Sequence, residues 1–177
     1  MTHEAPSPTL QGLPPLLSAD TRLVVLGSFP GVASLREQQY YGHRQNQFWP
    51  IVSTLLSPDP AAVLALRYEA RAQWLLDQGV GLWDVYAACE REGSLDSQIR
   101  RPQVNDLTSL RQRCPGLVAI AHNGGESFRH ARITQALGLP VYRLPSTSPA
   151  NASWSFTRKL AAWREVLEAV GLIKTTV

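Results

Sequence analysis

Leu23-Val24-Val25-Leu26-Gly27-Ser28-Phe29-Pro30-Gly31 is the stretch on which the fold turns. Four apolar residues run without a polar break into a glycine, which is how a strand buried on both faces of a parallel sheet reads. Three more short runs have this character: Val80 to Val85, Leu117 to Ala121 and Val141 to Leu144, each bounded by Gly, Pro or Asn. Helical patterns lie between them. Ser34-Leu35-Arg36-Glu37 has capping-box spacing and opens a short helix toward Tyr40. Asn46 can cap a helix through about Leu56, with Pro50 in its first turn. Asp59-Pro60 opens a helix that runs to Gly79, with Pro at the start and Gly past the end. Asn105 to Arg113, Gly125 to Leu137 and Ser153 to Val170 complete the set; in the last, Phe156, Leu160, Trp163, Leu167 and Val170 form one apolar face. Strands alternating with helices predict a single three-layer α/β/α domain around a central, mostly parallel four-stranded sheet. The domain is expected over residues 21–177, behind a flexible leader at residues 1–20 that is rich in Pro and polar residues.

Composition narrows the class. The chain has 177 residues, 44% of them hydrophobic and 18% charged, a balance that supports one domain with a real core. No apolar run approaches the roughly 20 residues that span a bilayer, and the start does not read as a signal peptide, so a cytoplasmic protein with no membrane partner is expected. Cys89 and Cys114 could pair, or lie as two buried thiols; two thiols and four unclustered histidines do not make a zinc or iron–sulfur site, so no metal is expected. The net charge of +3 mildly favours a polyanionic partner without identifying one. No heptad or apolar stripe suggests self-association, and a monomer is expected.

Ligands of an open parallel sheet bind beyond the carboxyl ends of its strands. Four segments have that address: Gly27 to Gly31, Asp84-Val85-Tyr86, His122-Asn123-Gly124-Gly125, and Pro145 to Ser153. The first matches neither the dinucleotide fingerprint nor the phosphate loop with its Lys, so no cofactor is expected. YYGHRQNQFW, residues 40–49, interleaves aromatics with His, Arg, Asn and Gln. That mixture suits stacking on a flat heterocycle while hydrogen-bonding its edge. Phe48 and Trp49 also read as core of the following helix, and Asn46 as its cap.

Read together, these stretches resemble the uracil-DNA glycosylase superfamily. GSFPG after an apolar strand is similar to its first motif, YYGHRQNQFW to the F-x-H-P-x-N-x-F-W stretch of the mismatch-specific branch, and LPSTSPAN (residues 144–151) to the Pro-Ser loop of the second motif. GLWDVYAACEREGSLDSQI (residues 81–99) resembles one branch in particular, the bacterial and archaeal hypoxanthine-DNA glycosylases. The likeness spans residues from about 20 to 170.

The resemblance implies an enzyme that hydrolyses the N-glycosidic bond of a flipped, deaminated base in damaged DNA. Phe29 stands where most members carry the Asp or Asn that positions water, and Ser28 where one branch has Glu. The branch assigns the catalytic amide to Asn46, with Ser28 as a second candidate catalytic residue. Leu144 replaces the His or Asn that heads the second motif, which disfavours uracil and favours hypoxanthine. Arg44 replaces an expected Pro. Gly27, Phe29, Pro30, Gly31, Tyr41, His43, Phe48 and Asn123 are expected around the base, with Tyr41 stacking and Asn123 reading an edge. Pro145, Ser146, Thr147, Ser148, Asn151, Ser153, Arg44 and Arg158 are expected on DNA, joined by Lys159 and Arg143 as an electrostatic track. Asn151 or Ala150 would be the wedge. No lysine lies in the motifs, so an abasic site without strand cleavage is the expected product. Alternatives are a uracil- or xanthine-directed enzyme, a non-catalytic lesion-binding module, and a nucleoside hydrolase on a similar scaffold.

Overall fold

The computed structural model describes residues 7–175. In chain order the elements are β1 (Leu10–Gln11), β2 (Leu23–Gly27), α1 (Val32–Glu37), α2 (Phe48–Leu56), α3 (Pro60–Leu64), α4 (Tyr68–Asp77), β3 (Val80–Asp84), β4 (Tyr86–Glu90), β5 (Arg100–Val104), α5 (Leu110–Arg113), β6 (Ala119–Asn123), α6 (Gly125–Phe128), α7 (Ala131–Gln135), β7 (Val141–Leu144) and α8 (Phe156–Ala169). The four apolar runs make one parallel sheet in the order β3-β2-β6-β7. β2 and β6 are its inner strands, and both are buried along their whole length.

Successive side chains of β2 point to opposite faces, which divides the core in two. Leu23 and Val25 join Phe48, Trp49, Ile51, Trp163 and Leu167 beneath α2 and α8. Val24 and Leu26 join Val85, Leu107, Leu110 and Ile120 on the other side. Helices therefore cover both faces, as a three-layer domain requires. Phe48 meets Trp163 edge-on at 5.8 Å between ring centroids, locking α2 to α8. Cys89 and Cys114 are free thiols, both buried in the second cluster.

The structure departs from the sequence reading in several places, each with a local cause. β4 and β5 pair antiparallel with each other, and β1 adds to β4, forming a separate three-stranded sheet. β5 reads Arg-Arg-Pro-Gln-Val and is exposed throughout, so it carries no apolar signal. Within the expected leader, residues 10–20 are tied down: Gly12 donates to Ala87, and Leu16 exchanges backbone hydrogen bonds with Leu82. Residues 1–6 lie outside the described part.

The helix expected from Pro60 to Gly79 breaks at Arg67, so that Tyr68 can pack edge-on against Trp49 and accept a hydrogen bond from the Tyr40 amide. The one expected from Gly125 to Leu137 breaks around His130, because Ser127 and Thr134 must both reach the buried His122 ring, 2.8 Å from each of its nitrogens. Burial pushes His122 down to about 4, so it is a neutral structural residue near neutral pH. The capping box at Ser34 does not form: Ser34 accepts from the Gly42 amide, and Glu37 pairs with Arg36. α8 is capped by Ser155, whose hydroxyl accepts from the Arg158 amide, two residues after the expected start.

Candidate active site

The segments that leave the carboxyl ends of β2, β3, β6 and β7 meet around a crevice of about 960 Å³. Its floor is the Gly27 to Gly31 turn. Gly27 is required by close approach: a Cβ there would lie 2.5 Å from Asp84 Oδ1 and 3.2 Å from the Tyr41 hydroxyl. The turn is held from outside by the loop after β4. Arg91 donates to the Pro30 carbonyl, Ser94 accepts from the Val32 amide at 2.9 Å, and Ser28 donates to Asp96 at 2.6 Å.

Tyr41 and Asn46 line the crevice in the stretch before α2. Tyr41 has φ 55, a left-handed conformation that a bulky residue adopts only when its surroundings impose it. Its ring stacks on Phe48 at 4.3 Å, and its hydroxyl accepts from Asn123 Nδ2 at 3.2 Å. Asn46 Oδ1 accepts from the Phe48 amide at 2.9 Å, so the residue does cap α2, from just ahead of the Gln47 N-cap position. One bond to Oδ1 leaves the other lone pair and the whole NH₂ group for a ligand. His43 is exposed at the rim, its Nδ1 accepting from the Gln45 amide.

Four expected contact residues are engaged within the protein. Phe48 is fully buried and backs Tyr41 without reaching the crevice. Asn123 commits both amide hydrogens, to Tyr41 and to Thr147 Oγ1, while its Oδ1 accepts from the Thr147 amide. Thr147 is fully buried by that clamp, so its hydroxyl faces protein and not DNA. Phe29 is 6% exposed, packed in the second core cluster with the Arg91 guanidinium 5.2 Å over its ring.

The loop after β7 forms the opposite wall. Pro145, Ser146, Thr147, Ser148 and Asn151 line the crevice with Arg143 and Trp154. The loop is internally fastened: Ser148 N donates to Ser146 Oγ, Ala150 N to Ser148 Oγ, and Asn151 Nδ2 to the Ser146 carbonyl. Lys159, expected on the surface track, is instead 2% exposed and donates to the Ser148 carbonyl at 3.5 Å. Arg158 is exposed and stacks 3.9 Å over the Trp154 ring, and Arg44 and Ser153 are exposed at the rim without lining the crevice.

Asp84, placed at a strand end by the sequence but given no role, and Asp96, given no role either, both line the crevice. Asp84 is 5% exposed, and its Oδ2 has no hydrogen-bond partner among the described residues. Burial first, then the neighbouring Asp96, raises its carboxyl to about 7, against an opposing pull from Arg91. The available signal was a lone Asp at the carboxyl end of an apolar run. Among the described residues no group of three or more His, Cys, Asp or Glu side chains gathers as a metal site would, and no helix is long and apolar enough to cross a membrane.

With this geometry in place, comparison with known proteins is specific. The uracil DNA glycosylase superfamily matches residues 14–169. A hypoxanthine DNA glycosylase of Methanosarcina barkeri is 34% identical over 158 residues, covering 89% of this chain and 98% of that protein. Its counterpart in Methanosarcina acetivorans is 35% identical over 156 residues, 88% of this chain and 96% of that one. The solution NMR structure of a candidate uracil DNA glycosylase from Methanosarcina acetivorans superposes with a TM-score of 0.80 at 33% identity, covering 92% of this chain and 98% of the other.

Proposed function

The chain belongs to the uracil DNA glycosylase superfamily and is a DNA glycosylase, and from that premise we propose that it excises hypoxanthine from DNA by hydrolysing the N-glycosidic bond. The observation that carries the reading is the near full-length likeness to two hypoxanthine DNA glycosylases. The crevice supports it, since it is roomy enough for a purine and brings Tyr41, Asn46 and the Gly27–Gly31 turn together.

A base inside a duplex is unreachable, so the target nucleotide is rotated out of the stack, at a cost of about a few kcal/mol. Tyr41, stiffened from behind by Phe48, is the face on which the flipped base stacks. As the bond lengthens, positive charge builds on the sugar and negative charge on the base. Asn46 holds water against C1′ through its free lone pair and NH₂ group, acting by placement, because an amide does not titrate. Ser28 orients toward the same space while fixed by Asp96. Asn123 is a positioning residue, joining Tyr41 to the loop after β7. That loop, with Ser146, Ser148, Asn151, Ser153, Arg44 and Arg158, contacts the DNA backbone and fills the vacated stack. The enzyme works as a cytoplasmic monomer, without metal, and its product is an abasic site.

Duplexes carrying inosine, uracil, xanthine or ethenoadenine, incubated with the protein and then cleaved by hot alkali, test the reading. Strand breaks should be strongest for inosine. Strong release of uracil with none of hypoxanthine would refute it.

A further inference from the structure

We propose that Asp84 is a second catalytic residue, a carboxylic acid that hands its proton to the departing base. The inference rests on the glycosylase reading above and concerns the part of the reaction that Asn46 does not serve. A purine anion is a poor leaving group at the sugar, and a proton delivered as the bond breaks removes that barrier.

One buried atom of the crevice is unsatisfied. Asp84 ends β3, lines the crevice, and is buried, yet its Oδ2 finds no donor among the described residues. An ionised carboxylate would leave a buried negative charge unpaired there, which is costly; the neutral acid avoids that cost. The neutral acid carries an O–H, and Oδ2 makes no hydrogen bond among the described residues. A buried donor without an acceptor is an arrangement that a ligand completes. Burial accordingly raises the group to about 7, so that it can both hold and release a proton near neutral pH.

The surroundings enforce this state. Asp96, from the loop after β4, adds a like charge, and Arg91 from the same segment opposes it. From the stretch before α2, Tyr40 and Tyr41 face Asp84 with their own titrations pushed upward by burial. β2 contributes only Gly27, whose missing side chain is what leaves room for the carboxyl. The backbone is pinned as well, with Asn105 Nδ2 donating to the Asp84 carbonyl at 2.8 Å.

In the step itself, the Asp84 O–H bond breaks and its proton passes to the base as the C1′–N bond breaks. The bonding electron pair stays on the base, which leaves neutral. The water held by Asn46 then forms its bond to C1′, and its proton leaves to solvent or returns to the Asp84 carboxylate left by the first transfer.

The test is single-turnover base release from an inosine duplex between pH 5 and 9, for the wild type and Asp84→Asn, an isostere that donates a hydrogen bond but no proton. The wild-type rate should fall about tenfold per pH unit above roughly 7. Asp84→Asn should be about 100-fold slower at pH 6 and lack that limb, while binding the duplex within a few-fold of wild type. A flat wild-type profile overturns the proposal without reference to any variant. So does a variant that matches the wild-type rate or keeps its limb. A wild type inactive on every lesion overturns the glycosylase reading and this proposal together; activity with an unaffected variant overturns only this one.

Discussion

The two walls of the crevice are built from opposite chemistry. One, running from Asp84 through the loop after β4, presents Asp84, Ser94 and Asp96. The other, the loop after β7 and the start of α8, presents Arg143, Ser146, Ser148, Asn151 and Trp154, with Arg158 beside Trp154. On the proposed reading the contrast sets polarity: phosphates track along the serine and arginine wall, and the uncharged base enters beside Asp84. The walls also differ in how they are held. The acidic wall grips the Gly27–Gly31 turn through Arg91, Ser94 and Asp96. The basic wall is clamped to β6 and Tyr41 by Asn123.

The most damaging change should fall between the walls. Asn46→Ala is expected to lower base excision about 10³-fold with duplex binding retained, as read by single-turnover release beside a gel-shift titration. Next comes the burial of the acid. A carboxyl whose folded value is raised to about 7 supports the fold below its ordinary range and loses that support as pH rises toward 7. The stability of Asp84→Asn relative to wild type should therefore rise as pH goes from 4 to 8, by on the order of 2–4 kcal/mol, in urea unfolding at each pH; no rise would mean that Asp84 is not desolvated.

Releasing the basic wall costs less. Asn123→Ala leaves the buried Thr147 amide without its acceptor, and about 1–3 kcal/mol of stability should be lost, with about a tenfold fall in kcat/KM. Weakening the charge contrast is subtler. Asp96→Asn removes a neighbour that raises Asp84, so the upper pH limb of excision should move to lower pH, by less than about one unit. The smallest effect is expected at Arg158→Ala: duplex affinity falls a few-fold on every sequence, and the slope of log affinity against log salt shrinks by about 1.

The fold was legible because its evidence is local and repetitive. β2, β3, β6 and β7 are apolar and sheltered, so each announces itself, and the intervening helices imply parallel order. β5 did not, since an exposed strand of Arg, Pro and Gln has no pattern to read. β1 escaped because a two-residue strand has no period. The turn at Gly27 and the Pro145–Asn151 loop converge as their strand-end addresses imply, and Tyr41 and Asn46, from the stretch ahead of α2, line the same crevice. Phe48, Thr147, Lys159 and Asn123 were placed by residue type, and residue type does not say which partner a polar or aromatic group will find.

The sequence alone determined the four strands of the parallel sheet, the three-layer class and the family, because these rest on periodicity and on motifs contiguous in the chain. Tertiary structure decided the rest. Asp84 and Asp96 are twelve positions apart and lie in separate elements, and only folding buries the first and sets the second on Ser28. Whether a carboxyl is a solvated surface charge or a neutral acid depends on its neighbours and its access to water, and neither is a property of its place in the chain.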